Sequence, residues 1–559
     1  MKAYTTHFQT TATPQAEPIP GTSQVPNSAG GFAWPVDDWT RLQRFLVLGT
    51  EGGSYYASEK TLTVENAQAV VRCLQVDWKR TVDTIVAISE AGRAPKNDPA
   101  IFALAMVAGM AAPEGRTYAL SAMPKVCRIG THLFHFAQAV QGFRGWGRGL
   151  RRAVAAWYQQ EVERLAYQMI KYAQRDGWSH RDLLCLSHPV PPSTAHAALY
   201  DWIVRGKTEK SLDGLRFVEG VERLKQAADP TAASILVREY RLPREAIESV
   251  NTAWLNDRAL WAALLEEMPL EAMTRNLGVM TARGLIAPMS DASAYVVSRF
   301  SDRAGIHKAR LHPIKLLAAL LTYQGGSSKG GLTWTPVQQV VDALDAAFYL
   351  AFENVEPTGK RLMLALDVSG SMSTGIVAGV AGLTPRVAAA AMALVTAARE
   401  SNHVIVAFQS KSGQPQSWRT HHRDDGIVPL HISPRQRLDD VVEATNNLPF
   451  GGTDCALPML YAIEQKLLID GFIILTDSET WAGAIHPAQA LIQYRRQTGL
   501  PAKLVVVGMV SNGFSIADPN DAGMMDVVGF DTTTPALIAD FVGEGIRRQA
   551  EAPLTKTAL

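Results

Sequence analysis

The chain has 559 residues, 47% of them hydrophobic and 19% charged, with a formal net charge of +1. That length exceeds what one core ordinarily serves, so two or more domains are expected, and the composition excludes a largely disordered chain. Near-neutrality excludes nucleic-acid attraction carried by net charge alone, and from Lys360 onward 16 Lys+Arg stand against 19 Asp+Glu, a mild imbalance.

Residues 1–31 are rich in Thr, Pro, Ser and Gly and read as a flexible tail. They contain no apolar core of a secretory signal, and the longest apolar runs, such as AIFALAMVAGMAA, are too short to span a bilayer. Cys73, Cys127, Cys185 and Cys455 are far apart and form no CxxC pair, which argues against a disulfide framework or a zinc knuckle. A cytoplasmic protein with no membrane association is the expectation.

From residue 32 to 357 one helical pattern follows another. VENAQAVVRCLQ, DPAIFALAMVAGM, LRRAVAAWYQQEVERLAYQMIKYAQR, DRALWAALLEEM and VQQVVDALDAAFYLAF are the clearest. Apolar residues recur at three- and four-residue spacing, as at Leu150, Val154, Trp157 and Tyr158. Repeated helix pairs suit a solenoid, and an ordinary bundle fits the same composition.

After VEPTGK the pattern changes. RLMLALD, HVIVAFQ, GFIILTD and AKLVVVGM read as strands buried on both faces, separated by the helical stretches PRVAAAAMALVTAARE, ALPMLYAIEQKLL and HPAQALIQYRRQTG. This alternation predicts an α/β domain over 358–559 with a doubly wound parallel sheet. Ligand sites in such sheets form beyond the C-terminal strand ends. There the first strand offers Asp367, Ser369 and Ser371, a later loop Thr453 and Asp454, and another strand Asp477 and Glu479. Carboxylates and hydroxyls suit a hard divalent cation, and alternate residues of one loop can face the same ion. Neutral hydroxyls limit the ligand charge, so the ion keeps the capacity to accept a carboxylate from a partner.

This constellation resembles the metal-ion-dependent adhesion site of von Willebrand factor A domains, over about residues 360–550. The resemblance implies that Ser369, Ser371 and Thr453 coordinate through hydroxyls, that Asp367 and Asp477 act directly or through water, and that the ion is Mg²⁺. Other searches are negative. DPNDAGMMDVVG carries Ala522 and Gly529 where a calcium loop needs acids, and no GxSxG, Walker or HExxH motif occurs.

Within the helical half, residues 123–181 hold ten Lys+Arg against Glu161, Glu163 and Asp176. His132, His135, Phe134, Phe143, Trp146, Trp157 and Trp178 are interleaved with them. Cations for phosphates and flat rings for bases are what a nucleic-acid surface needs, although a solvated basic helix face over core aromatics has the same composition.

VCRIGTHLFHF, GWGRGLRRAVAAWY, DGWSHRDLLCLSHP, EMPLEAMTRNLGVMTA, GGTDCALPM and LTDSETWAGAIHPAQAL, in that order, are similar to the Ro autoantigen family. The resemblance runs from about Gly49 to Asp531. It implies a TROVE module, a ring of HEAT-like helical repeats, joined to a von Willebrand A domain. It also implies a monomeric, non-catalytic protein that binds small noncoding Y-like RNA outside the ring and misfolded or single-stranded RNA ends within it. A 3′–5′ exoribonuclease such as polynucleotide phosphorylase is the implied partner. Carried over by motif, His132 is the best Y RNA contact; Arg128 and Lys125, close to it in sequence, and Arg116, at the start of the preceding helix, join it as candidate RNA-binding residues, and Arg148, Arg151 and Arg152 are candidate phosphate contacts. Gly130 departs from the proline common in the family. The alternatives are a metal-dependent protein-interaction or adhesion module and a metal-dependent nuclease. A hydroxyl-rich single-ion site without an evident general base speaks against the nuclease.

Overall fold

The computed structural model describes residues 12–50, 54, 57–309, 311–328, 330–351, 357–377, 383–410, 426–433, 436–446, 451–529 and 533–543. Two compact units emerge, one made of residues 1–66 with 352–559 and the other of 67–351. Among the described residues the chain opens with β1 (Val25–Pro26), β2 (Phe32–Pro35), α1 (Asp38–Leu48) and α2 (Glu59–Val76). It continues through α3 (Trp78–Ala91), α4 (Asp98–Met110), α5 (Pro113–Val126), α6 (Gly130–Phe143), α7 (Arg148–Trp157) and α8 (Val162–Lys171). A small hairpin, β3 (Gln174–Arg175) and β4 (Trp178–Ser179), leads to α9 (His180–Ser187), and further helices extend to Gln338–Leu350.

In the helical unit the three- and four-residue spacing turns one face of each helix inward. On α7, Leu150, Val154 and Trp157 are buried while Arg148, Arg151 and Arg152 are exposed. The stretch read as one helix from Leu150 to Arg175 breaks after Trp157. The break follows from capping: the Glu161 carboxylate accepts from the Glu163 and Arg164 backbone N–H groups and starts α8 afresh. The α9 N-terminus is closed by a reciprocal pair in which Ser179 and Asp182 each accept the other's backbone N–H.

The α/β unit contains the four expected strands, β5 (Leu362–Asp367), β6 (His403–Phe408), β8 (Gly471–Thr476) and β9 (Lys503–Gly508). The six-stranded sheet has the order β11-β9-β8-β5-β6-β7. All its pairs are parallel except β6 with the edge strand β7 (Ile427–Pro429). Strand β11 is Met524–Val528, so the sequence that begins like a calcium loop ends as a strand. From β5 the chain winds one way to β6 and returns on the other side as β8, which puts the topological switch between the C-terminal ends of β5 and β8. Both strands are buried along their whole length, as expected of a sheet covered on two faces. One cover is α10 (Pro385–Arg399), whose Ala- and Val-rich body is buried almost throughout. Two further helices, α11 (Leu457–Glu464) and α12 (Pro487–Thr498), also belong to this unit.

The tail expected over 1–31, and a domain border at residue 32, do not hold for the residues described. From residue 12 the segment is built into the α/β unit. The Gln15 side chain is fully buried and donates to Asp454 Oδ1 at 2.7 Å and to the Ile485 carbonyl at 2.8 Å. Thr13 N–H donates to Gln489 Oε1 at 3.0 Å. Strand β2 pairs with β1 and with β10 (Phe514–Ser515), and Trp34 enters the core with Met363, Phe472 and Val506. Arg44 of α1, fully buried, meets Asp526 at 2.5 Å. Low-complexity composition hid this, because each buried polar side chain finds its partner more than 400 residues away. Residues 1–11 lie outside the described residues.

Candidate functional site

At the switch point the predicted oxygen donors come together. Strand β5 ends in Asp367, and a 3₁₀ turn over Gly370–Ser373 folds the next residues back over the strand end. Asp367 Oδ1 accepts the Ser369 N–H at 2.9 Å, and the Ser369 and Ser371 hydroxyls lie 3.1 Å apart. Asp367 Oδ2 accepts from Thr476 Oγ1 at 2.6 Å, which ties β5 to β8 one residue before Asp477. Asp367 is 0% and Asp477 4% exposed. Burial pushes both carboxyl groups upward, Asp477 to about 8 with Asp367 adding to the effect, while the Ser371 hydroxyl bonds to Asp477 and opposes it. Thr453 is buried in the loop before α11, with its carbonyl receiving the Trp481 and Ala482 N–H groups at 3.1 Å.

Two buried carboxylates beside neutral hydroxyls form an all-oxygen donor set with negative charge to compensate. Among the described residues no three His, Cys, Asp or Glu side chains gather around one point. The neutral hydroxyls of Ser369 and Ser371 are the donors found beside the two carboxylates. Asp367, Ser369, Ser371 and Asp477 could hold a single hard divalent cation, and Thr453, placed here by its carbonyl on the loop after β8, is the remaining expected ligand. Glu479 goes elsewhere. Its carboxylate accepts the Ser28 and Ala29 N–H groups at 2.7 and 3.2 Å, so the N-terminal segment holds it.

One contributor escaped sequence reasoning. Arg386 of α10 is 1% exposed, and its guanidinium donates to the carbonyls of Val368 and Ser369, fixing the loop that carries the donors. Its charge also opposes that of Asp367. An arginine at the second position of an alanine-rich buried helix was the available signal, since a buried cation needs a fixed acceptor.

In the helical unit the named residues separate into two groups. Arg148, Arg151 and Arg152 share one face of α7, at i, i+3 and i+4, exposed and with no ion pair among the described residues. Some cations elsewhere on these helices meet acids: Arg223 pairs with Glu219, Arg238 with Glu266, and Arg275 and Lys315 with Glu271, all at 2.7 or 2.8 Å. Arg164, Arg181 and Arg258 are exposed without an ion pair among the described residues as well, so what marks α7 is three such cations on one face. Helix α7 packs on α5, where a Cβ at Gly149 would sit 3.2 Å from Leu120.

The second group lies around the α5–α6 turn. Arg128 Nη1 donates to Ser89 Oγ at 2.9 Å and to the Lys125 carbonyl at 2.8 Å, and Ser89 passes the bond on to Asn97, which holds the Val126 carbonyl. His132 is half-buried in the first turn of α6; burial, then the Arg128 charge, pushes its imidazole down to about 4. Its Nδ1 has no partner among the described residues. Lys125 is exposed and Arg116 half-buried. Nine residues of helix set these two on opposite sides of α5, so they do not form one patch. The aromatic residues also divide. Phe134 is 0% and Trp157 2% exposed, the latter donating to the Cys127 carbonyl at 2.7 Å; both are core.

A helical scaffold followed by a doubly wound domain with an oxygen site at its switch point defines a helical protein carrying a von Willebrand A-type module. Comparison with known proteins makes this specific. A TROVE domain model matches residues 25–330 and a Ro60 vWA domain model residues 361–542. The chain is 40% identical to the RNA-binding protein RO60 of Deinococcus radiodurans over 93% of this chain and 95% of that protein. It is 36% identical to the RNA-binding protein RO60 of Caenorhabditis elegans over 93% and 90%. The crystal structure of the Deinococcus radiodurans RO (RSR) protein aligns with a TM-score of 0.68 at 40% identity, covering 91% of this chain and 99% of that one. This chain belongs to the Ro family. Among its described residues no helix is long and apolar enough to cross a membrane.

Proposed function

We propose that this protein is a non-catalytic RNA-binding scaffold of the Ro type. Its helical half holds a small structured Y-like RNA by the phosphates and takes misfolded or single-stranded RNA ends into a helical ring. The observation that carries this reading is the stripe of Arg148, Arg151 and Arg152, exposed without carboxylate partners, in a chain whose curated relatives are named RNA-binding proteins. Arg128 and His132 shape the neighbouring rim, with Arg128 as much a brace as a contact because its guanidinium is already engaged.

The α/β half docks a partner. A Mg²⁺ ion at the Asp367–Asp477 site would supply an electrophilic position for a partner's carboxylate, and a 3′–5′ exoribonuclease such as polynucleotide phosphorylase is the proposed partner in RNA degradation. The protein works as a cytoplasmic monomer.

The test is binding of a structured small RNA across a salt series. Each phosphate contact contributes about 0.7–0.9 to the slope of log affinity against log salt. Replacing Arg148, Arg151 and Arg152 together by alanine is expected to weaken binding, lower that slope by roughly two to three, and leave the melting temperature unchanged. An unchanged slope removes α7 from the interface. Wild-type protein that binds no RNA favours a metal-dependent protein-interaction module instead.

A further inference from the structure

We propose that Trp146 and Trp178 form a stacking platform for unpaired RNA bases. The proposal rests on the RNA-binding reading above and adds the place where a base, rather than a phosphate, is held.

Of the tryptophans in the basic stretch, Trp157 belongs to the core, and Trp146 and Trp178 remain half-exposed. Their ring centroids lie 5.8 Å apart at an interplanar angle of 41°, so neither ring covers the other's face as a stacked pair would. They come from separate turns. Trp146 lies between Gly145, whose φ of 82° sets a left-handed turn, and the α7 cap Gly147. Trp178 stands on β4 and donates its indole N–H to Gln138 Oε1 of α6 at 2.6 Å.

The hairpin beneath Trp178 is fixed independently. Its turn residue Asp176, at a φ of 52°, contacts His135 Nε2 at 2.9 Å, and His135 Nδ1 contacts Asp98 at 2.9 Å. Trp178 is thus held at the surface by a polar anchor, and Trp146 by its glycine-flanked turn, which lowers the ordering cost of binding. The Trp146 indole nitrogen, shielded from solvent, has no hydrogen-bond partner among the described residues, so Trp146 presents its ring rather than a polar atom at the surface.

The charge around the pair suits a polyanion. Arg144 and Arg148, both exposed, stand two residues to either side of Trp146, and Arg175, 63% exposed and 3.7 Å from the Asp176 carboxylate, stands three before Trp178. The nearby acids are engaged, Asp176 by His135 and Asp182 by the Ser179 N–H at 2.9 Å. Rings flanked by cations accept single-stranded RNA, whose bases can splay out; a duplex keeps its base faces covered by its own stack.

The experiment compares a ten-nucleotide oligouridylate with an abasic ribose-phosphate chain of equal length and charge at fixed salt. Wild-type protein is expected to bind the oligouridylate about five-fold or more tightly, since base–aromatic stacking contributes about 1–3 kcal/mol per base. Trp146→Ala should erase that preference while leaving affinity for the abasic chain unchanged, and Trp146→Phe should restore most of it. Trp178→Ala is expected to act likewise. Because Trp178 also braces the hairpin, the unmutated protein and the Trp146 pair decide the matter if Trp178→Ala misfolds. Equal wild-type affinity for the two chains, or a preference that survives Trp146→Ala, overturns the platform and leaves the phosphate-binding reading standing. Failure of wild-type protein to bind either chain overturns both.

Discussion

Asp367, Ser369, Ser371 and Asp477 are each no more than 5% exposed at the meeting of two buried strands, whereas Arg148, Arg151 and Arg152 stand exposed on one helix face. The first set is embedded in the packing. Thr476, Arg386 and the backbone of its own loop bond to these groups or to the loop that carries them. A change there disturbs stability and binding together. The second set leaves the core of its helix to Leu150, Val154 and Trp157, so charge can be removed with the fold intact. One fold region couples its candidate chemistry to its stability and the other separates them.

The largest effect expected from this contrast is at Asp367. A ligand at a hundred times its Kd stabilises the folded state by about 2.7 kcal/mol, so Mg²⁺ titration should raise the melting temperature of the wild type measurably. In Asp367→Ala that rise should vanish. A rise of unchanged size breaks the assignment of the metal centre.

Next in size is Gly130→Ala, which asks how tightly the turn carrying His132 is packed. A Cβ at Gly130 would lie 2.8 Å from His180 Nε2 and 3.0 Å from the Tyr172 Cβ. His180 cannot move freely, being 1% exposed and held by Tyr158 Oη at 2.8 Å. Overpacking of this kind costs about 1–3 kcal/mol, readable as a shift in denaturant midpoint. Gly142 on the same helix meets nothing within 4 Å, and Gly142→Ala should be neutral or mildly stabilising. Equal effects at the two positions would mean that the turn yields.

The smallest effect concerns pH. His135 is raised above its usual 6.5 chiefly by its bond to Asp98, and Asp98 is lowered below 3.8 by the same bond. A raised histidine contributes stability that is complete below 6.5 and fades as pH climbs through the folded value. A lowered aspartate contributes stability that is present above 3.8 and fades as pH falls through its own folded value. Their shared contribution therefore fills the window between, and for partly exposed groups it amounts to about 1 kcal/mol at most. Melting temperatures of Asp98→Asn followed from pH 3 to 9 should lose most of the difference between that window and its edges. An unaltered profile would show that the hairpin does not depend on this pair.

The strand–helix alternation and the string Asp367-x-Ser369-x-Ser371 were legible because both are local. Strand burial shows in a run of six residues, and a donor loop leaving one strand keeps its members within five. The arginines of α7 were legible as cations for the same reason. Their division from Arg116 and Lys125, and the removal of Phe134 and Trp157 from the aromatic surface, were not, since composition does not say which face of a helix meets a neighbour.

The sequence by itself determined the two-part architecture, the family and the residue types at both candidate sites, because short-range periodicity and motif order carry that information. Tertiary structure alone decided that Thr13, Gln15 and Asn27 of the polar segment from residue 12 are buried against the α/β unit, that Arg386 holds the donor loop, and that Trp146 meets Trp178. These are pairings of groups far apart in the chain. Each exists because a buried polar atom must find a partner, or two rings a common surface, only after the strands and helices have packed.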